Sequence, residues 1–209
     1  MKLIVISPSG SIEKEHQLVT QLFEHGLETL HLRKPRMRTS EMRDYLEALP
    51  PHFHDRIVLH SHHRLSASFP VRGIHLTRVH RKRRFTTWLR LRWLRMRRPN
   101  VTVSTSYNKL ANLYEDEKQY DYVFLSPIFD SLTGKFHSGY SEHSLRVAMQ
   151  KNDVRVVARG GVNADCLERV NDLNFYGMAL HSALWKAEDP LKEFVKVLER
   201  CRELGIKLE

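Results

Sequence analysis

The chain has 209 residues, of which 41% are hydrophobic and 28% are charged, with 9 glycines and 8 prolines. This composition is typical of a globular protein and excludes a disordered, collagen-like or low-complexity chain. Lysine and arginine number 34 against 24 aspartates and glutamates, which gives a formal net charge of +10. No change of composition divides the chain, so we predict a single domain over residues 1–209.

Cysteine usage and the first residues of the chain bear on its compartment. Cys166 and Cys201 are far apart and form no Cys-x-x-Cys motif, which predicts a reducing environment. Residues 3–6 form an apolar run that is too short for a secretory signal or a membrane span. We therefore expect a cytoplasmic protein.

Short runs rich in valine, isoleucine and leucine recur along the chain and suit strands that are buried on both faces of a parallel sheet. They lie at residues 3–6, 27–32, 57–59, 73–76, 101–103, 122–125, 154–158 and 175–180. Helical spacing of apolar residues separates most of them, with Asn163 and Asp189 as predicted N-caps of two late helices. Eight strands that alternate with helices favour an α/β protein with a (β/α)8 TIM barrel, and a doubly wound open sheet is the alternative.

The excess positive charge is concentrated in residues 78–98, which hold ten lysines and arginines and no acidic residue. Apolar side chains are interleaved with them: Trp88, Leu89, Leu91, Trp93, Leu94 and Met96. One interpretation is a face for nucleic acid or for an anionic membrane. The interpretation that we favour is a helix whose apolar side packs on the core while its arginines are solvated.

In a TIM barrel the functional residues lie at the carboxyl ends of the strands. The residues there include many of the types that bind phosphate, and they occupy positions 31–34, 60–63, 75–80, 104–108, 126–135, 159–162 and 181–182. The loop Arg159-Gly160-Gly161-Val162 and the pair His181-Ser182 could hold one phosphate, although a tight turn would also explain the two glycines. Ser131, Thr133 and Lys135 form either a second anion site or a polar surface loop.

Histidines cluster at two neighbouring predicted strand ends and raise the question of a zinc site. They are His60, His62 and His63, followed by His75 and His80. No carboxylate at the adjacent strand ends completes such a site, so we favour solvated or ligand-facing histidines.

Seven motifs carry a resemblance to a known family. They are His31-Leu32-Arg33, Leu59-His60-Ser61, Gly73-Ile74-His75-Leu76, Ser106, Ser126-Pro127-Ile128-Phe129 with Ser131, Thr133 and Lys135, Val157 to Val162, and Gly177 to Leu184. In order and placement they resemble motifs of the thiamine-phosphate synthases and the related thiazole tautomerases. The corresponding family motifs are Gln-x-Arg, Ile-Asn-Asp, Gly-Val-His-Leu, Gly-x-Ser, Gly-Pro-Ile-Phe-x-Thr-x-Thr-Lys, Val-Ala-Ile-Gly-Gly-Ile and Gly-Val-Ala-Val-x-Ser-Ala-Ile. The resemblance covers nearly the whole chain.

The resemblance implies a transferase of thiamine biosynthesis, which couples hydroxymethylpyrimidine pyrophosphate with thiazole phosphate and releases pyrophosphate. It implies Lys135, Arg33 and His60 as catalytic residues. The substrate-binding residues that it implies are His31, Arg33, His60, Ser106, Ser131, Thr133, Lys135, Gly161, His181 and Ser182. Lys135 would reach between the two phosphates.

Departures from the family pattern concern the metal. Ser61 and His80 occupy the two aspartate positions that bind Mg²⁺ in the family, and neither is a good ligand for that ion. We therefore assign no metal ligand and leave the use of Mg²⁺ open. The family lysine that follows the arginine is Pro35 here, and Lys34 is expected to point away because neighbours on a strand face opposite ways.

Two other functions stay open from the sequence. One is a metal-independent tautomerase, in which His60 or His181 would act as the base because the family histidine falls at Pro127. The other is a barrel that binds a phosphorylated ligand, or a polyanion through residues 78–98, without catalysis. As partners we expect small phosphorylated pyrimidine and thiazole substrates, no membrane and no nucleic acid, and we leave a homo-oligomer open.

Overall fold

A computed structural model describes residues 1–114, 120–130, 135–137, 140–151 and 153–209, with the backbone alone at residues 84 and 90. Eight parallel strands form a closed barrel in chain order, and the last strand pairs with the first. The strands are β1 (Lys2–Ile6), β2 (Thr29–Leu32), β3 (Ile57–Leu59), β4 (Gly73–Leu76), β5 (Thr102–Tyr107), β6 (Tyr122–Leu125), β7 (Val156–Arg159) and β8 (Gly177–Leu180). The predicted TIM barrel is confirmed, and the alternative of an open sheet is wrong.

Strand β5 is longer than the sequence pattern predicted. The apolar run ends at Val103, but the strand continues through Ser104 and Ser106 to Tyr107. Both serine hydroxyls are hydrogen-bonded to the His75 imidazole of the neighbouring strand, so polar side chains extend the strand where an apolar pattern does not show it.

Helices surround the barrel and follow most of the strands. They are α1 (Glu15–Glu24), α2 (Thr39–Glu47), α3 (Arg78–Lys82), α4 (Arg84–Arg97), α5 (Ala111–Tyr114), α6 (Glu142–Lys151), α7 (Leu167–Asp172), α8 (Ser182–Trp185) and α9 (Pro190–Glu203), with 3-10 turns at Pro51–Arg56, His63–Ala67 and Ala164–Cys166. Asp189 caps α9 by accepting from the Lys192 amide at 3.0 Å, as predicted. Asn163 also acts as a cap, although it caps the 3-10 turn that leads into α7.

Two apolar layers hold the barrel. Alternate strand residues point inward and fill its centre, where Ile4, Ile6, Phe124 and Val157 are fully buried. The intervening residues point outward and pack against the helices in a larger cluster that includes both free cysteines, Cys166 and Cys201. Because the centre is filled with side chains, the carboxyl-terminal mouth of the barrel is left as the place for a ligand.

A buried ion pair joins β2 to α1. Lys34 Nζ lies 2.6 Å from Glu15 Oε2 and also donates to the Gly10 carbonyl, while the Tyr45 hydroxyl donates to Glu15 Oε1 at 2.8 Å. The two charged side chains are 1% and 4% exposed. Burial and the Glu15 carboxylate raise the pKa of Tyr45, which stays a donor to Glu15. Lys34 therefore points outward to a helix, as the strand alternation predicted. Of these two neighbouring cations, Arg33 is the one that points to the inner side of the barrel.

The basic segment differs from the packing that we favoured. Its helices α3 and α4 lie beside the barrel, and Leu94 is buried against Val101 and Val103 while Leu91 is half-buried. Most of its other apolar side chains are exposed, namely Val79, Phe85, Trp88, Leu89, Trp93 and Met96. The interpretation that the apolar side packs on the core is therefore wrong for most of the segment, because Leu94 and Leu91 alone among its described leucines and aromatics reach inward.

None of the described helices has an apolar stretch long enough to cross a bilayer.

Replacing Lys34 with methionine is expected to lower the free energy of unfolding by about 3–5 kcal/mol, because Glu15 would keep a buried charge without its counter-ion. Urea denaturation of the two proteins measures the difference. As a control, Arg146→Ala removes an exposed pair with Glu142 and should cost about 1 kcal/mol or less. Equal effects of the two substitutions would contradict the role of the buried pair.

Candidate active site

A cavity of about 690 Å³ opens at the carboxyl ends of the strands. Among the described residues, its walls contain five cationic side chains and no carboxylate. They are formed by Arg33, His60, His75, Thr77, Arg78, Arg81, Ser106, Tyr107, Asn108, Lys109, Asn112, Ser126 and Arg159. This composition fits an anionic ligand, because each cation would otherwise face others of the same sign.

Arg33 and Arg159 approach each other from distant parts of the chain. Arg33 follows β2 and is held by two serines: its amide donates to Ser7 Oγ at 2.8 Å, and its Nη1 donates to Ser9 Oγ at 2.7 Å. Arg159 ends β7 and is partly buried. Its burial, followed by the charge of Arg33, lowers the pKa of Arg159. An anion between the two guanidinium groups would relieve this repulsion.

A third arginine enters the cavity from the basic segment. Arg81 of α3 donates from Nη2 to the Ser106 carbonyl at 3.1 Å, and its guanidinium lies 4.8 Å from the centre of the Tyr107 ring. Its Nε is buried and has no hydrogen-bond partner in the described part of the chain. Sequence reasoning missed this residue as part of the site, because the charge run gave no sign that one end of it turns inward.

Two further buried polar atoms near the mouth lack a partner among the described residues. They are Ser61 Oγ, just after β3, and His181 Nε2, just after β8. Burial, then the charges of Arg159 and Arg33, lowers the pKa of His181. Since buried polar atoms in proteins are nearly always hydrogen-bonded, these orphaned atoms and Arg81 Nε indicate where a polar ligand completes the site.

A network of histidines lines the floor of the cavity. His31 Nδ1 and His60 Nε2 are hydrogen-bonded at 2.8 Å, and His31 Nε2 is 2.6 Å from the Tyr122 hydroxyl. His75 stacks on His60 with ring centres 4.1 Å apart. Burial is the largest cause that lowers the pKa of each of the three imidazoles well below its usual value, and the charge of Arg159 adds to it. The three rings are therefore neutral near pH 7.

The same three histidines have nitrogens within 4.8 Å of one another, which is a donor set that a transition metal could use. Protein groups already account for these nitrogens, because His75 is hydrogen-bonded to serine hydroxyls on both sides and His31 to His60 and Tyr122. The sequence hypothesis of a site with His62 does not fit this geometry. His62 turns away and is hydrogen-bonded to Thr39 and to the Met37 carbonyl.

Comparison with known proteins decides the family. A family model described as thiamine monophosphate synthase matches residues 3–184. The chain belongs to the thiamine monophosphate synthase family. It is 33% identical over 96 residues to the thiamine-phosphate synthase of Vibrio campbellii (strain ATCC BAA-1116), and this alignment spans 44% of the chain and less than half of that curated relative, 46%.

Solved structures extend the comparison to nearly the whole barrel. A thiamine phosphate pyrophosphorylase from Bacteroides thetaiotaomicron has a TM-score of 0.77 and 29% identity, with 97% of this chain and 98% of that chain covered. A thiamine phosphate pyrophosphorylase from Pyrococcus furiosus has a TM-score of 0.75 and 21% identity, with 97% and 96% covered. Because the second structure is only 21% identical, its similarity to this chain shows the fold alone.

The residues that the family resemblance named fall into three groups in the structure. Arg33, His60 and Ser106 line the cavity, and His31 lies beneath His60. Lys135 is exposed, its carbonyl accepts from the Asp130 amide at 2.8 Å, and its side chain is not among those that line the cavity. Ser131 and Thr133 lie outside the described residues.

The remaining residues of that set follow β7 and β8. Gly161 has φ +67°, and a Cβ there would collide with the Phe129 carbonyl, so a tight turn packed on another loop explains this glycine. The exposed Ser182 is hydrogen-bonded to His181 at 3.4 Å. The substrate roles of Lys135, Gly161, His181 and Ser182 stay predictions.

The neutral histidines predict an acid-sensitive fold. A histidine whose pKa is lowered by folding binds its proton more readily in the unfolded chain, so stability is full above the unfolded pKa of about 6.5 and falls as the pH drops below it. We expect the free energy of unfolding to fall between about pH 6.5 and pH 5, by at most about 1.4 kcal/mol per pH unit for each such histidine. His31→Gln should reduce this slope, as measured by urea denaturation across that range.

The matched control is His143→Gln, which makes the same substitution at an exposed position of α6. It should leave the slope as it is in the unsubstituted protein. An unchanged slope in His31→Gln would show that the buried network does not carry the acid sensitivity.

Proposed function

We propose that the chain is a thiamine-phosphate synthase, a transferase that couples hydroxymethylpyrimidine pyrophosphate with thiazole phosphate to give thiamine phosphate and pyrophosphate. The observation that supports this most is the cavity at the barrel mouth of a chain of the synthase family, where the described lining residues include five cations and no carboxylate. One substrate releases pyrophosphate and the other carries a phosphate, so both need a cationic surface.

The reaction sets the demand on the site. The bond between the pyrimidine methylene carbon and pyrophosphate oxygen breaks, and its electron pair leaves with the pyrophosphate. The methylene carbon is left electron-poor, and the lone pair of the thiazole nitrogen forms the new carbon–nitrogen bond. Negative charge thus grows on the leaving group in the transition state, so fixed positive charge beside it lowers the barrier.

In this proposal Arg33, Arg81 and Arg159 receive the pyrophosphate. Arg33 is positioned by Ser7 and Ser9, and Arg81 by the Ser106 carbonyl, so neither has to be ordered when the substrate enters. The unpartnered Nε of Arg81 is a donor available to a phosphate oxygen. Arginine suits this task because its planar group can donate two parallel hydrogen bonds to a phosphate.

The neutral histidines serve the pyrimidine half of the same substrate. His60 and His75 line the wall of the cavity, and their hydrogen-bonded partners fix the orientation of the rings. An uncharged imidazole can lie against a pyrimidine without repelling the electron-poor carbon that forms when pyrophosphate leaves. His31, held by Tyr122 beneath them, keeps His60 in place.

The side chains of the mouth do not fit Mg²⁺. Mg²⁺ prefers carboxylate and water oxygens in octahedral geometry, whereas the residues lining the cavity offer guanidinium, ammonium, amide, hydroxyl and imidazole groups. Ser61 stands in one of the positions where the resemblance implies a metal-binding aspartate. His80 stands in the other and is hydrogen-bonded to Thr77. In our proposal the arginines therefore stabilise the leaving group.

The family match does not favour the other functions that the sequence left open. Pro127 stands where the resemblance places the histidine of a tautomerase, and the relatives compared above are named as synthases or pyrophosphorylases.

The proposal is tested by incubating the purified protein with both substrates and following thiamine phosphate, with and without EDTA. We expect product in both arms, because arginines rather than a bound cation hold the pyrophosphate. No product in either arm would overturn the synthase function. Product that disappears with EDTA would keep that function and overturn the assignment to arginine.

Arg159→Gln is expected to lower kcat/KM by about 100-fold or more, because it removes a positive charge that faces the leaving group. The control is Arg155→Gln, since Arg155 precedes the opposite end of the same strand and is exposed. That variant should keep its activity within about twofold. Equal activity of the two variants would exclude Arg159 from the reaction.

A further inference from the structure

Helix α4 turns an apolar stripe away from the barrel. Leu94 faces the core, and on the same side of the helix Thr87 Oγ1 donates to the His80 carbonyl at 2.7 Å. The opposite side carries four apolar side chains at spacings of four, four and three residues, which places them on one face of a helix. They are Phe85, Leu89, Trp93 and Met96, which are 73%, 53%, 41% and 69% exposed.

Arginines lie along both edges of this stripe. At about 100° per residue, Arg92 and Arg95 fall on one edge and Arg97 on the other. The Arg92 guanidinium lies 5.6 Å from the centre of the Trp88 ring, and that of Arg97 lies 4.5 Å from the centre of the Trp93 ring. These contacts hold the cations beside the aromatic rings at the level of the exposed stripe. None of the described side chains that line the active-site cavity belongs to α4.

Four exposed apolar side chains in one continuous stripe are uncommon on a monomer and mark an interaction surface. A second copy of the chain is a poor occupant, because a symmetric contact would bring two segments together that each hold ten cations and no acidic residue. A nucleic acid would pair with the arginines and stack on the aromatic rings, but it offers little to Leu89 and Met96. An anionic bilayer satisfies both the charge and the apolar stripe.

We propose that α4 docks on an anionic lipid surface. The helix, about 21 Å long at 1.5 Å per residue, lies in the plane of the surface. Phe85, Leu89, Trp93 and Met96 enter the boundary between headgroups and acyl chains, and the arginines at the edges bind lipid phosphates. The sequence led us to expect no membrane among the partners, and the direction in which α4 faces is the observation that changes this.

The experiment uses the full chain with vesicles of phosphatidylcholine, alone or with about one third phosphatidylglycerol, at about 50 mM and 300 mM salt. Sedimentation measures partitioning, and tryptophan fluorescence reports insertion. Trp88 and Trp93 are exposed, whereas Trp185 is half-buried and donates its indole N–H to the Ile6 carbonyl, so a blue shift on binding comes from α4.

Three double variants separate the contributions. Leu89→Gln with Met96→Gln removes half of the apolar stripe and should weaken partitioning at least tenfold. Arg92→Gln with Arg97→Gln should weaken it about 25-fold, at about fivefold for each cation. Arg202→Gln with Lys207→Gln removes the same charge from exposed positions at the other end of the chain and should change partitioning less than about twofold.

Binding that needs phosphatidylglycerol, weakens with salt, shifts the fluorescence and is lost in the first two variants supports the proposal. An absence of partitioning at low salt overturns it, as does partitioning that Leu89→Gln with Met96→Gln leaves unchanged. Tighter binding to an oligonucleotide than to the vesicles, measured in parallel, assigns the surface to nucleic acid instead. Dimerisation in sedimentation velocity that the apolar variant abolishes assigns it to a second copy.

Discussion

Closure of the sheet between β1 and β8 is the constraint on which the rest of the structure depends. Residues Lys2 to Val5 pair in parallel with Gly177 to Leu180, and the pairing needs a glycine at its start, because a Cβ on Gly177 would collide with the Lys2 carbonyl. Once the sheet is closed, every strand ends at the same rim. Arg33 and Arg159, 126 positions apart in the sequence, then face one cavity.

The carboxyl-terminal rim of the barrel concentrates positive charge. Elsewhere the fold contains ion pairs: buried Lys34 has Glu15 and exposed Arg146 has Glu142. At the mouth five cations share a cavity whose described walls hold no carboxylate, and polar atoms of Ser61, Arg81 and His181 lack partners in the described chain. Such a region is destabilising until an anion enters, so a phosphate-bearing ligand that binds there is expected to stabilise the folded protein. The neutral histidines beneath limit this repulsion, because protonating them would add further positive charge to the floor.

The basic segment of residues 78–98 contributes to the cavity and to the exposed face of α4. Arg78 and Arg81 of α3 turn into the cavity, whereas the described arginines of α4 face solvent beside exposed aromatic rings. The charge run alone suggested one role for the whole segment. The break between α3 and α4 at Arg83 divides it, so the phosphate site that we propose and the lipid surface that we infer can be altered separately by mutation.

The alternation of strands and helices could be predicted from the sequence alone, since apolar runs of three to six residues and helical spacing depend on local periodicity. The sequence also identified Asp189 and Asn163 as caps and placed Arg33, His60 and Ser106 at strand ends, because these are properties of short segments. The tertiary structure decided which strand ends face one another, and so brought Arg159 and Arg81 to Arg33 and joined His31 to His60 and Tyr122. It also decided the direction of α4. A helix with apolar and cationic residues on several sides has more than one face that could pack inward, and the fit of Leu94 against Val101 and Val103 chooses among them.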